Sequence, residues 1–132
     1  MRQHSRFVVY DGTATADFNS PVYETIGCRG VLLFLDVDSV SASDTLDIKL
    51  QAGFPGDALG GSENFFDIPG AAFAQATAAG QKMLVLYPGI TESANVKVST
   101  VLPSRWRVVF DLTEVGGGAL SIVFRLWAEV LW

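Results

Sequence analysis

From Ala119 to Trp132 the chain reads ALSIVFRLWAEVLW, and every even position from Leu120 onward is apolar. The odd positions place Ser121, Arg125 and Glu129 among Val123, Trp127 and Leu131. Side chains leave a pleated strand on alternate faces, so a period of two predicts a strand with one face wholly in the core. The other face carries two charges between large apolar groups. Its residues Val123, Trp127 and Leu131 are expected to be covered by another subunit. A chain that stops on Trp132 is expected to be tied down there, since ordinary termini are polar and frayed.

The preceding segment behaves the same way. Trp106, Val108, Phe110 and Leu112 share one face; Arg105, Arg107, Asp111 and Thr113 share the other, with Val109 among them. Gly116-Gly117-Gly118 offers the backbone freedom for a reversal, which predicts a terminal hairpin of these two strands. Each large apolar side chain that it buries is worth about 1.5–3 kcal/mol. A second long hairpin is predicted upstream. Val31, Leu33, Leu35 and Val37 oppose Leu32, Phe34, Asp36 and Asp38, so that strand starts buried on both faces and emerges into solvent. After the turn-rich residues 39–44, Leu46, Ile48 and Leu50 point inward and Asp47, Lys49 and Gln51 outward.

Shorter strands are expected at residues 6–10, 22–26, 65–68, 81–87 and 95–101. Residues 71–79 read as strand or irregular. Residues 53–64 hold four glycines and a proline and read as a surface loop. Strands punctuated every dozen or so residues, with no amphipathic helix, predict an all-β fold: a single-domain antiparallel β-sandwich, jelly-roll-like. Residues 13–19 read as an edge strand or an arm; residues 1–19 are set apart as an N-terminal arm expected to contact a partner, and residues 20–132 as the sandwich.

At 132 residues the chain is one domain by length. Hydrophobic residues make up 49% and charged residues 17%. Two readings follow: an interface between subunits, or a large core plus many alanines. Nine basic against fourteen acidic residues leave a net charge of −5, which argues against a nucleic-acid groove. No apolar run has the length of a membrane span, and the opening MRQHSR lacks the apolar core of an export signal. The lone Cys28 fits a reducing compartment and a buried thiol.

Catalytic chemistry has little to work with. His4 stands alone in the expected arm; Arg29 beside Cys28 could lower its thiol pKa, but no second histidine exists to pair with it, and the plainer reading is a buried thiol. No base, nucleophile and stabiliser can be assembled from one His and one Cys, so no enzyme and no cofactor is expected. The glycines of Gly53-Phe54-Pro55-Gly56 and Gly60-Gly61-Ser62 neither precede Lys-Ser/Thr nor open a helix, which makes a phosphate cradle a weak reading. Asp36, Asp38 and Asp44 are the best candidates for a calcium site, against the plainer reading of solvated edge acids that deter strand-to-strand aggregation. Phe54, Phe65 and Phe66 suggest a sugar-stacking platform, against the plainer reading of packed anchors.

Three stretches in order, TLDIKLQ at residues 45–51, FDIPGAAF at 66–73 and LPSRWRVV at 102–109, together with SIVF at 121–124, carry a resemblance. They resemble a group of small all-β proteins encoded near the capsid genes of tailed bacteriophages, namely head-decoration and other auxiliary virion proteins. The similarity runs from Gly30 to the C-terminus; the first thirty residues stand outside it. The resemblance implies a structural role with no catalytic residues: a capsid decoration protein that binds the major capsid protein as a homo-oligomer, a trimer being favoured. It implies assembly in the host cytoplasm and a place on the capsid exterior; the interface residues expected from their own apolar character are Val123, Trp127, Leu131 and Phe54. The rivals are a carbohydrate-binding jelly roll displayed on the virion and a neck- or tail-associated structural protein. Many copies on one shell would bind through avidity.

Overall fold

The computed structural model describes residues 5–54 and 63–132. Among the described residues ten strands form two sheets: β1 (Ser5–Ala14), β2 (Phe18–Asn19), β3 (Tyr23–Glu24), β4 (Gly30–Val40), β5 (Thr45–Phe54), β6 (Asn64–Ala72), β7 (Gly80–Leu86), β8 (Lys97–Val98), β9 (Arg105–Thr113) and β10 (Ile122–Leu131). Sheet A runs β1-β10-β4-β7-β8 and sheet B runs β2-β9-β5-β6, with β3 also on β9. Every pairing is antiparallel except β7 with β8. Two sheets pack face to face as an all-β sandwich, each giving one side to a common core.

The core takes the inward positions that alternation predicts. Val31, Leu33, Leu35 and Val37 of β4 and Phe124, Leu126, Ala128 and Val130 of β10 meet Leu46, Ile48 and Leu50 of β5 and Trp106, Val108 and Phe110 of β9. Phe110 and Phe124 touch across the sandwich with ring centroids 5.6 Å apart. The indole of Trp106 is fully buried, and its Nε1 donates to Thr25 Oγ1 at 3.0 Å. A buried indole needs such an acceptor to avoid an unpaired donor.

Both expected hairpins are overturned. β9 pairs with β5 and β10 pairs with β1 and β4, so the last two long strands lie in different sheets. Likewise β4 lies in sheet A and β5 in sheet B. Residues 41–44 and 114–121 are arches between the sheets rather than reversals within one. Alternation cannot separate the two cases, because a strand of either sheet turns its apolar side to the same core. Asp44 joins the arches. It is 3% exposed, its Oδ1 accepts from Val115 N at 3.1 Å, and its Oδ2 accepts from Ser41 Oγ. Ser41 in turn exchanges two bonds with Ser121, its N donating to Ser121 O at 3.0 Å and its Oγ accepting from Ser121 N at 2.9 Å. Ser43 takes a left-handed φ of 66° between them.

Over its described residues the N-terminal segment takes the edge-strand form. Residues 5–14 are edge strand β1, paired along their length with β10, and residues 18–19 pair with β9. Phe7 packs on Tyr23 at 4.8 Å, and Tyr10 lies 4.7 Å from Phe18 and 4.8 Å from Phe124. The strand expected at residues 6–10 runs on to Ala14, past a register shift between Val8 and Tyr10 that breaks the period of two. Residues 71–79 follow β5 irregularly: Phe73 N donates to Ile48 O, and Leu46 and Ala76 form an isolated bridge.

Candidate interaction surface

The two outer faces of the sandwich differ in kind. On sheet B several outward residues are charged and bonded to one another. Arg105 is bonded to Glu63 at 2.6 Å and to Glu24, Lys49 reaches Asp67 at 3.0 Å, and Gln51 Nε2 donates to Asp67 at 2.8 Å. Arg107 Nε donates to Gln51 Oε1 at 2.9 Å, while the guanidinium lies 3.6 Å from the centre of the Phe65 ring. The Arg105 guanidinium holds the Glu63 carboxyl below the usual carboxylate range, and bonds from Gln51 and Lys49 do the same for Asp67.

Sheet A is different. The registers of β1, β10, β4 and β7 bring Val8, Trp127, Phe34 and Met83 into one row at right angles to the strands. Val8 is 54% exposed, Met83 47% and Trp127 39%; Phe34 between them is half-buried. Phe34 was expected in a doubly buried segment; instead it joins Leu32 on the outer side, because no layer covers this face in the single chain. Above the apolar row lies a polar one, Asp11, Arg125, Asp36 and Gln81, and below it a mixed one, Arg6, Glu129, Leu32 and Val85. Arg6 Nη2 donates to Glu129 Oε1 at 3.1 Å. Arg125 keeps looser company, 3.9 Å from Asp11 and 3.6 Å from Asp38, and its Nε has no hydrogen-bond partner. Val123 and Leu131 stand outward on the same strand as Trp127, both half-buried.

Phe54 sits elsewhere, at the end of the β5–β6 hairpin. Alternation directs it and Phe66 to the side that is core farther along, yet they are 65% and 59% exposed. Sheet A does not reach over this end of the hairpin. The two rings meet edge to face, 6.4 Å apart at 89°. Phe65 points the opposite way, under Arg107. The three phenylalanines therefore share no flat platform of the kind on which sugar rings stack.

The candidate calcium ligands do not converge. Asp36 and Asp38 lie on β4, a central strand rather than an edge, with Arg125 beside them. Asp44 is buried in the arch. Among the described residues no group of three or more metal-binding side chains is placed to hold an ion. Cys28 is buried beside a cleft of about 450 Å³ lined by Phe7, Tyr23, Ile26 and Trp132, and burial pushes its thiol pKa up. A thiol held protonated in this way is a poorer nucleophile. His4 and the glycines of residues 56 and 60–61 lie outside the described residues.

A groove of about 490 Å³ crosses sheet B over Lys49 and Val109, with Asp17, Asp47 and Asp111 on its rim. Pattern reasoning missed this grouping, because the three acids come from three separate segments. Against protein-family models, curated proteins and solved structures, the chain has no match.

Proposed function

We propose that this chain is a non-catalytic structural protein of a tailed-phage virion, a capsid decoration protein that attaches to the assembled head as an oligomer. The observation that carries the reading is the apolar row across the outer face of sheet A. Monomeric proteins rarely leave a contiguous apolar patch of this kind to water. The opposite face, by contrast, is dressed with ion pairs. The resemblance read from residues 45–51, 66–73 and 102–109 suggests the setting, and the Phe54–Phe66 pair at the hairpin end supplies a second apolar contact, which we assign to the major capsid protein.

We also read the sandwich as a jelly roll, a fold used by viral capsid domains among others. In support, the chain crosses between sheets at β1–β2, β3–β4, β4–β5, β6–β7, β8–β9 and β9–β10, and among the described strands only β5–β6 stays in one sheet as a direct hairpin. Fold alone does not fix function, so the weight rests on the surfaces.

The test is co-sedimentation of the purified chain with heads of the phage whose genome encodes it. The chain is expected to saturate the heads at a fixed ratio. Phe54→Ser with Phe66→Ser should weaken binding at least about tenfold, as loss of two buried aromatic anchors does, with the unfolding midpoint little changed. Failure of the wild-type chain to bind those heads, together with its absence from virions by mass spectrometry, would end this reading.

A further inference from the structure

We infer that the outer face of sheet A is the seat of a second copy of this chain, packed face to face about a two-fold axis along the Val8–Trp127–Phe34–Met83 row. This rests on the reading above that the protein works as an oligomer, and it replaces the three-fold arrangement favoured by the family resemblance.

The first argument is charge. A two-fold axis lying along the apolar row stacks each row residue on its own copy and exchanges the two flanking rows. Arg125 then faces Glu129 of the second copy, and Asp11 faces Arg6, each opposition occurring twice by symmetry. Isologous contacts must be self-complementary in this way. The loosely held Arg125, whose Nε has no partner within the chain, gains a carboxylate. An axis parallel to the strands fits worse. It sets Arg125 against Asp36 but leaves two charges on apolar side chains, Glu129 over Leu32 and Arg6 over Val85, where the axis along the row leaves one, Asp36 over Leu32, with Gln81 over Val85.

The second argument is size. Four strands about 4.8 Å apart and ten residues at about 3.3 Å each give a face of roughly 600 Å². Side-chain relief adds to that, and a standard interface takes about 800 Å² from each partner. Two twisted sheets pack in this manner at about −30° with their facing side chains interleaved. The face therefore has the extent, the apolar centre and the charge pattern of half a sandwich interface.

The experiment is sedimentation of the full chain at micromolar concentration. Wild type is expected as a dimer. Arg125→Glu alone and Glu129→Arg alone should each shift the equilibrium toward monomer by about tenfold or more, as reversed charges across an interface do. The two together should restore the dimer, since each new charge again meets its opposite. Arg125 and Glu129 stand four residues apart on one strand and do not touch within a chain, so a fold defect would not be repaired in this way.

A second measurement avoids charge reversal. Facing backbones about 10 Å apart are too distant for a disulfide, so Met83→Cys is treated with a short bismaleimide. It should link to its own copy, while Lys49→Cys on the opposite sheet should not. A monomer at all concentrations, a trimeric mass, no recovery in the double variant, or no Met83→Cys linkage would each overturn the two-fold. If the chain saturates heads as a trimer, the proposed function stands and this inference falls; a monomer that saturates them keeps the head binding but not the oligomer. A dimer that ignores heads gives the converse.

Discussion

At the scale of single residues, two aspartates of opposite standing show how this sandwich spends its charge. Asp111 is exposed and badly placed. Asp47 lies directly across the β5–β9 ladder from it, and Asp17 is close by, its Oδ1 accepting from Leu112 N at 2.7 Å. The negative charge of Asp17 is the main cause that raises the Asp111 pKa; partial burial and the charge of Asp47 add to it, and Lys49 offsets some. A carboxyl whose pKa is higher folded than unfolded binds its proton more tightly in the fold. It therefore costs stability as pH rises through that raised value. Asp111→Asn should raise the melting temperature at pH 7 by about 1–3 °C, the effect of removing a like-charge cross-strand pair. The gain should vanish below the ordinary aspartate range; thermal melts of both proteins across pH 3–7 measure the difference. Asp44 is the reverse case. Its carboxylate accepts from one backbone N–H and one hydroxyl where the arches meet. Asp44→Ala leaves Val115 N without that acceptor and should cost about 2 kcal/mol, read from the denaturant midpoint at unchanged slope.

At the scale of elements, strand β1 decides whether residues 5–14 are an appendage or part of the body. Its inward rings fill the gap between the sheet edges, Phe7 against Tyr23 and Trp106 and Tyr10 among Phe18, Phe110 and Phe124. Losing a buried aromatic costs about 3–5 kcal/mol, and two such losses approach the whole stability of a small domain, about 5–15 kcal/mol. A chain lacking residues 1–14 should show no cooperative unfolding transition by circular dichroism, whereas removal of a detached arm would leave the transition intact. The sequence made the strands and their inward faces legible: Trp106, Phe110, Phe124 and Leu126 are buried where alternation puts them. Their partners were not legible, because an arch and a hairpin print the same pattern. Trp127 could be seen to face outward. That Val8 and Met83 join it could not, since the row exists only once four strands from distant parts of the chain are in register. The rim of Asp17, Asp47 and Asp111 was hidden for the same reason.

At the scale of the whole molecule, the order of strands in sheet A makes completion wait for the end of the chain. β10 lies between β1 and β4, so the first long strand is joined to the rest of its sheet only through residues 122–131. The core shows the same dependence, because Ile122, Phe124, Leu126, Ala128 and Val130 supply the centre of sheet A's inner face. Without them β1 has no partner, and β4 presents an unpaired edge beside exposed apolar side chains. Bringing residue 5 beside residue 130 requires closing nearly the full chain before the contact returns any free energy, and topologies dominated by such pairings fold in about milliseconds to seconds. A chain ending at Gly118 should therefore retain little fixed tertiary structure. We expect it to bind a hydrophobic dye, to lose near-ultraviolet dichroism and to be cut rapidly by protease, while the 132-residue chain refolds in one slow cooperative phase. Adding a synthetic peptide of residues 119–132 should restore the dichroism if the remaining strands wait in a near-native arrangement with only the β10 slot open. Persistence of a sharp melting transition in the truncated chain would show instead that sheet B and the β4–β7 pair make a core of their own, with β10 docking on a body already formed.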